Sequence, residues 1–416
     1  MKIPPQSPTV CTVGLVDPLW CGHHETYFKA FIRALHHAGA RVVAVCPKPE
    51  DLQELAAEFP DTLRVGLLSD PGGSRFFPGR DNDPILTHQR WQSAESSLSK
   101  VENETDWKID FVFFAWLDSY LRFMSTAETA DRLIGRPWAG LYFRNQHLSS
   151  RTSGLLGTLK QRLRGDFILR SAGCRVVAGV DEQLLPFLEE FCGKPVLQFP
   201  DITDESAGDP ETPLARAITN GAKGRKVIGI VGLEKRKGFL TLMRVAKKAA
   251  ERQLPWYFAF TGVLYLSTLE KEEAKWLRSF LDSKPDNVYI DEDAGPIPDG
   301  APYNGVASTF DVFFAAYLNS LYNGSSNVLT KAALLKIPVV VTKGACLEER
   351  VDEFQMGVSI DEGDADECLT AIKHLLEGQQ LDGSSLQPRF DNYFELHSHQ
   401  RLTDHMSKMI SMAVAN

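Results

Sequence analysis

Short apolar runs alternate with amphipathic segments along the first half of the chain. Residues 9–16 and 41–46 are apolar runs that predict buried strands, and residues 24–37 between them repeat apolar side chains at helical spacing. Further buried strands are predicted at 111–116, 138–143, 174–180 and 196–199. Such an alternation of strand and helix predicts an α/β fold built on a doubly wound parallel sheet.

The second half of the chain repeats the pattern. Strands are predicted at 226–232, 257–262, 287–290, 311–316, 338–341 and 357–360, and helices at 239–251, 365–376 and 402–412. Between the halves, residues 203–213 are rich in Asp, Glu, Ser, Gly and Pro, which is typical of a linker. A chain of 416 residues also exceeds the size at which one core keeps growing. We therefore predict domains at 1–203 and 204–386, followed by a helical tail at 387–416.

Composition and charge narrow the class of protein. A net charge of -9 argues against a general nucleic-acid binder. The seven cysteines are scattered and form no C-x-x-C pair, which favours reduced thiols over a disulfide framework or a zinc site. His397 and His399 have no cysteine or carboxylate cluster beside them, so we assign no metal site. No stretch resembles a signal peptide or a membrane span, and a cytoplasmic location is predicted.

A glycine and serine turn at residues 320–327 is the strongest candidate for chemistry. It follows the predicted strand 311–316 and precedes a short helix, so it lies at the carboxyl end of a parallel sheet, where open α/β folds bind ligands. Gly324 lets a ligand approach the backbone, and the helix amino end favours an anion. The turn therefore predicts a phosphate site, with an ordinary capped helix as the alternative.

This turn resembles the donor-site signature of family 4 glycosyltransferases of the GT-B class. In that signature a Tyr-Glu-Gly-Phe-Gly turn leads into a helix and then into Gly-x-Pro-Val-Val. Tyr322 and Gly324 match the tyrosine and the glycine, Ala332 matches the helix alanine, and the closing strand begins at Pro338. The resemblance covers most of the chain and has its firmest motifs in the second domain.

Two departures from the signature bear on what it implies. The glutamates of the family are replaced by Asn323 and Lys331, so their contacts to the donor sugar and the ribose are not implied here. What remains is the backbone cradle, meaning the amides of residues 324–329 that would surround a phosphate. Lys331 is expected either to contact phosphate or to lie on the helix surface.

A second motif resembles the start of the family's second domain, where a strand, a glycine and a Lys-Gly turn bind the donor diphosphate. Gly232 ends the predicted strand, and Arg236 and Lys237 precede Gly238. Cations suit this task because the diphosphate that leaves the sugar gains charge in the transition state. The predicted donor-binding residues are Gly232, Arg236, Lys237, Asn323, Gly324, Ser325, Ser326, Asn327, Val328, Leu329 and Lys331.

The first domain matches the family more loosely. The glycine pair before the first helix is reduced to Gly22, which we expect to lie with His23 where an acceptor or a phosphate approaches. Asp118 and His147 follow two predicted strands, and the resemblance implies a histidine near the reacting sugar at His147. We expect these two residues to act on the acceptor side, since a base or charge stabiliser must reach the acceptor hydroxyl.

The resemblance implies two Rossmann-like domains facing a cleft, with the tail returning to the first domain. It implies transfer of a sugar from a nucleotide-sugar, most often a UDP- or GDP-sugar, to a glycan, lipid-linked or small-molecule acceptor. Retention of configuration is expected, with no required metal or other cofactor. Two alternatives stay open: a binding subunit that has lost catalysis, and, less favoured, a nucleotide-sugar epimerase.

Residues 155–169 combine an apolar side with three basic residues. The pattern is typical of a core-packed helix with a solvated basic face, which the short basic run favours. The alternative is a helix that rests on an anionic surface, which would add peripheral contact with the inner membrane surface.

Overall fold

The computed structural model describes residues 10–20, 23–69, 71, 84–121, 126–143, 166–322 and 324–415. The chain divides into two compact units. Unit 1 comprises the chain up to Ile202 together with the segment from Ser398 onward, and unit 2 is Thr203–His397.

Unit 1 is built on a parallel sheet. Its strands are β1 (Thr12–Val16), β2 (Arg41–Cys46), β3 (Leu63–Leu67), β4 (Phe111–Phe114), β5 (Trp138–Tyr142), β6 (Cys174–Gly179) and β7 (Val196–Gln198). They pair in the order β3-β2-β1-β4-β5-β6-β7. Its helices are α1 (His24–His37), α2 (Gln53–Glu58), α3 (Pro84–Thr105), α4 (Ala127–Ile134), α5 (Leu185–Cys192) and the last helix of the chain, His399–Val414.

Both faces of this sheet are covered, as a parallel sheet requires. Successive strand residues point to opposite faces. Phe113 packs in the layer of α1 and the last helix, whereas Phe114 packs against Trp91 of α3. The last helix contributes four buried side chains to the first layer: Leu402, Met406, Met409 and Ala413.

Unit 2 repeats the arrangement. Its strands are β8 (Lys226–Leu233), β9 (Trp256–Leu264), β10 (Val288–Ile290), β11 (Val312–Ala315), β12 (Val339–Thr342) and β13 (Gly357–Ile360), paired as β10-β9-β8-β11-β12-β13. Its helices are α6 (Pro213–Ala222), α7 (Phe239–Glu251), α8 (Lys271–Asp282), α9 (Ala301–Ala307), α10 (Val328–Leu335), α11 (Cys346–Phe354), α12 (Ala365–Leu376) and α13 (Phe390–Leu396), and the last helix of unit 1 is α14. All pairings recorded in both sheets are parallel, so the predicted fold class is confirmed.

Most predicted elements occur with shifted ends. Helices α1, α7 and α12 and strands β2 and β13 have the predicted bounds, whereas β1 begins at Thr12 and β11 covers only Val312–Ala315. Asp364 caps α12 by accepting hydrogen bonds from the amides of Asp366 and Glu367.

The helix α3 was not predicted. Of the segment 155–169, most lies outside the described residues, and the described part, within Asp166–Arg170, forms a short 3-10 helix. Among the described helices, none has the length and apolarity needed to cross a membrane. The described residues also contain no group of three or more His, Cys, Asp or Glu arranged to hold a metal ion.

Candidate functional site

Two turns meet at the carboxyl edge of the second sheet. One follows β8 and includes the 3-10 turn Lys235–Lys237, and the other follows β11 and leads into α10. Strands β8 and β11 are neighbours at the centre of the sheet, where the strand order changes direction. Open parallel sheets bind ligands at this switch point.

Direct contacts join the two turns. The Leu318 amide donates to the Arg236 carbonyl over 2.8 Å, and the Arg236 guanidinium lies 5.1 Å from the centre of the Tyr322 ring. Gly238 has a φ of +72°, and a Cβ at that position would come within 2.2 Å of the Ala316 carbonyl oxygen. Only glycine therefore fits where the turns touch.

The Lys237 side chain folds back over the end of β8. Its Nζ donates to the Val231 carbonyl over 2.9 Å. Gly232 has a φ of +81°, and a Cβ there would lie 2.6 Å from Nζ. Burial lowers the pKa of Lys237 to about 8, against the opposing effect of Glu234. An ammonium has three donors, so one such contact leaves Nζ able to bind a further acceptor.

Arg236 is held by a carboxylate of its own turn. Its Nε and one terminal nitrogen donate to the two oxygens of Glu234 over 2.6 and 3.1 Å. This bidentate geometry is the strong form of an arginine–carboxylate pair. A phosphate that binds Arg236 must therefore compete with Glu234 or share the guanidinium with it.

Polar contacts, two of them buried, fix the serine turn. The Tyr322 hydroxyl donates to the Ser325 carbonyl, and the hydroxyls of Tyr317 and Ser326 lie 3.0 Å apart. From α11, Arg350 donates to Ser325 Oγ over 2.7 Å and to Tyr393 Oη over 3.3 Å. Arg350 is only 4% exposed.

The start of α10 is already partly hydrogen-bonded. The Leu329 amide donates to the Ser326 carbonyl over 3.2 Å, and Val328 N lies 3.5 Å from Ser326 Oγ. The Asn327 side chain makes no capping hydrogen bond to the helix. Of the predicted cradle, the Leu329 amide is thus engaged inside the protein. Asn323 lies outside the described residues.

Lys331 does not lie on the helix surface. It is 2% exposed, and its Nζ donates to Asn304 Oδ1 over 2.6 Å and to the Asp204 carbonyl over 3.1 Å. Asp299 Oδ1 is 3.6 Å away. Burial lowers the pKa of Lys331, and Asp299 opposes that shift. Lys331 therefore ties α10 to α9 and to the segment where the chain enters unit 2.

The residues predicted in unit 1 have mixed outcomes. His147 and Gly22 lie outside the described residues. Asp118 accepts a hydrogen bond from the Phe143 amide over 2.9 Å and so links the turn after β4 to the end of β5. His23 is exposed at the amino end of α1.

The structure adds a pair that the sequence did not suggest. His24 Nδ1 lies 2.8 Å from Asp17 Oδ2, and both residues are buried. Burial raises the pKa of Asp17, and the hydrogen bonds from His24 and the Leu19 amide oppose that shift. No motif signalled the pair, because His24 also fits the buried face of an amphipathic helix.

No protein-family model matches the chain, and no curated protein matches its sequence. Solved structures match over nearly the whole chain. Sucrose-phosphate synthase from Thermosynechococcus elongatus aligns with a TM-score of 0.66 at 15% identity, over 96% of this chain and 98% of its own. An α,α-trehalose-phosphate synthase (UDP-forming) from Burkholderia vietnamiensis aligns with a TM-score of 0.61 at 9% identity, over 98% of both chains.

HepE from Anabaena, solved in complex with UDP-glucose, aligns with a TM-score of 0.58 at 13% identity, over 96% of this chain and 98% of its own. At such identities the likeness concerns the fold. The chain has the GT-B fold, with one Rossmann-like parallel sheet in each of its two units.

Proposed function

We propose that this protein is a glycosyltransferase that moves a sugar from a nucleotide-sugar, a UDP- or GDP-sugar, to a hydroxyl acceptor. The donor binds unit 2 and the acceptor binds unit 1, with retention of configuration and without a required metal. The observation that carries the proposal is the junction of the two turns after β8 and β11, which brings Lys237 and the serine turn to one edge of the sheet.

The solved structures with similar folds also favour a nucleotide-sugar donor. Two of the structures that match are named as sugar-phosphate synthases, one of them UDP-forming, and a third holds UDP-glucose. These names describe those proteins. For this chain they make a nucleotide-sugar the first ligand to test.

The chemistry asks the protein to stabilise a departing diphosphate. Lys237 and Arg236 would neutralise it, and the turn at Gly324 would fix its position. The Lys237 ammonium and Ser325 are already held by Val231 and Arg350, so little reorganisation accompanies binding there, whereas Arg236 must share its guanidinium with Glu234. Preorganised charges of this kind contribute most to such reactions.

A binding subunit without catalysis is the second candidate. The observation that favours it is Lys331, which stands where the resemblance has a carboxylate and is used inside the protein. A donor could then bind through its phosphates at the two turns without gaining a carboxylate contact from α10.

One screen tests the function. Thermal unfolding is followed with UDP, GDP, ADP and their sugars, and release of the nucleoside diphosphate is measured with a panel of methyl glycosides and with EDTA present. We expect selective stabilisation by one nucleotide, by about 2.7 kcal/mol at a hundredfold excess over Kd, and release of that nucleotide. Selective binding without release would favour the binding subunit, interconversion of the free sugar nucleotide would favour an epimerase, and no binding would refute the proposal.

A further inference from the structure

Lys331 joins the serine turn to the segment where the chain enters unit 2. Its backbone amide donates to the Asn327 carbonyl over 2.9 Å, at the end of the serine turn. Its side chain reaches the entering segment, where Nζ donates to the Asp204 carbonyl over 3.1 Å and to Asn304 Oδ1 over 2.6 Å. One residue of α10 therefore contacts both the turn that is proposed to hold phosphate and the segment.

The entry segment, residues 204–209, is docked on α9 by hydrogen bonds. Asn304 is fully buried, and its Nδ2 donates to the Asp204 carbonyl over 3.2 Å and to the Ser206 carbonyl over 2.6 Å. Lys331 and Asn304 thus share the Asp204 carbonyl as an acceptor. Because a buried donor that loses its acceptor is unfavourable, each of these contacts opposes undocking of the segment.

Close backbone packing completes the docking. The Asp209 amide donates to the Ala301 carbonyl over 2.9 Å. A Cβ at Gly208 would lie 2.8 Å from the carbonyl carbon of Asn304 and 2.8 Å from the amide nitrogen of Gly305. Only glycine lets the segment approach α9 this closely, and a larger residue must push it away from the helix.

The charge of Lys331 is balanced locally. Asp299 Oδ1 lies 3.6 Å from Nζ. Burial lowers the pKa of Lys331, and Asp299 and Asp204 oppose that shift. Because two carboxylates act on one ammonium, the group is not a net source of positive charge for a phosphate. Lys331 therefore acts on a ligand through the position of α10.

We infer that Lys331 is a positioning residue for the nucleotide, and that nucleotide binding at the serine turn and docking of the entry segment on α9 stabilise each other through it. The inference rests on the proposed function and states how the donor site is regulated. Since α10 begins at the serine turn, an undocked segment lets α10 shift and misplaces the turn. Coupling between two sites is reciprocal, so the nucleotide must strengthen docking by the factor by which docking strengthens nucleotide binding.

The first measurement uses the wild-type chain and the nucleotide that stabilises it against thermal unfolding. Hydrogen exchange at the Asp209 amide reports local opening of the entry segment. We expect saturating nucleotide to slow this exchange about tenfold, a usual size for coupling between sites. The Gly383 amide, which donates to the Gln380 carbonyl in another loop of unit 2, is the control and should keep its rate. Unchanged exchange at Asp209 in a chain that binds nucleotide would overturn the inference.

Two variants test the effect of the segment on the nucleotide. Lys331→Met removes the ammonium at similar length, and Gly208→Ala displaces the segment without changing α10. Each should raise the Kd of the nucleotide about tenfold. The matched controls are Lys336→Met, at an exposed lysine that follows α10 and pairs with Asp391, and Gly295→Ala, with nothing within 4 Å of its Cβ position. Both controls should keep the wild-type Kd.

The outcomes distinguish the inference from the proposed function. If the wild type binds a nucleotide and either folded variant keeps its Kd within about twofold, the inference is refuted and the donor site stands. Removing one partner of a buried ion pair can prevent folding, and in that case Gly208→Ala and the wild-type exchange decide. If the wild type binds no nucleotide, both proposals fail.

Discussion

The charge of Lys237 changes within the pH range in which sugar nucleotides are assayed. Burial lowers its pKa from the ordinary 10.5 to about 8. A bound diphosphate favours the protonated amine, and a terminal phosphate keeps its full charge above a pKa of about 6. Binding above pH 8 must therefore include uptake of a proton, and affinity should fall as pH rises.

We expect the Kd of UDP to rise about tenfold between pH 7 and pH 9, because the charged fraction of an amine with this pKa falls about tenfold. Isothermal titration calorimetry at constant ionic strength measures this Kd at each pH. Lys237→Arg should abolish the pH dependence, since arginine stays charged. Lys235→Ala is the control and should keep it, because Lys235 pairs with Glu270 and Glu273. A slope that persists in Lys237→Arg would show that another group titrates.

At the scale of single residues, the sequence predicted where the candidate residues lie better than it predicted their hydrogen-bond partners. Lys237 and Gly324 lie in turns after β8 and β11, as glycine and cation spacing indicated, and their binding roles stay predictions. The Arg350 contact to Ser325 joins residues 25 positions apart on different elements. A single buried polar pair leaves no periodic trace, so it could not be predicted, and the same holds for Asp17 and His24.

At the scale of elements, the site depends on the contact between the two turns. Gly238 lies at this contact, with its φ of +72° and the Ala316 carbonyl oxygen 2.2 Å from where a Cβ would stand. A backbone oxygen cannot rotate away as a flexible side chain can. Gly224 offers a matched comparison in the same unit, with a φ of +79° and nothing within 4 Å of its Cβ position.

Gly224→Ala should lower the free energy of unfolding by about 1 to 2 kcal/mol, because alanine disfavours the left-handed backbone conformation at this position. Gly238→Ala should lower the free energy of unfolding by the same amount and by about 1 to 3 kcal/mol more, because its Cβ clashes with the Ala316 carbonyl oxygen. It should also abolish stabilisation by the nucleotide that the wild type binds. Urea unfolding gives the first quantity and thermal shift the second. Equal stability of the two variants, with nucleotide stabilisation kept in both, would contradict the contact as the basis of the site.

Element prediction succeeded where periodicity was strong and failed where polar residues are buried. Helix α7 places an unbroken apolar stripe on the sheet and was predicted at its observed bounds. Helix α3 buries Thr87 and Arg90 beside Trp91 and Leu98, and this mixture hides the helical period in the sequence. Several observed strands are shorter than predicted for a simpler reason. The apolar run in the sequence continues beyond the last residue that pairs with a neighbouring strand.

At the scale of the whole molecule, the chain order and the structural units differ. The last helix, α14, belongs to unit 1 although unit 2 precedes it along the chain. It contacts α1 and the strands β5, β6 and β7. Met406 in its centre is fully buried in the same cluster as Phe31 and Phe113. The stability of unit 1 therefore depends on residues at the far end of the chain.

Met406→Ala should destabilise unit 1 by about 2 to 5 kcal/mol, through lost burial and the cavity left behind. Because Met406 belongs to the core of unit 1, hydrogen exchange should accelerate in β1, β2 and α1 and remain unchanged in β8 and α7. Val414→Ala, near the end of the same helix and 46% exposed, is the control and should change neither region. Acceleration that is equal in both units would mean that they unfold together, and α14 would then stabilise the whole chain as one cooperative body.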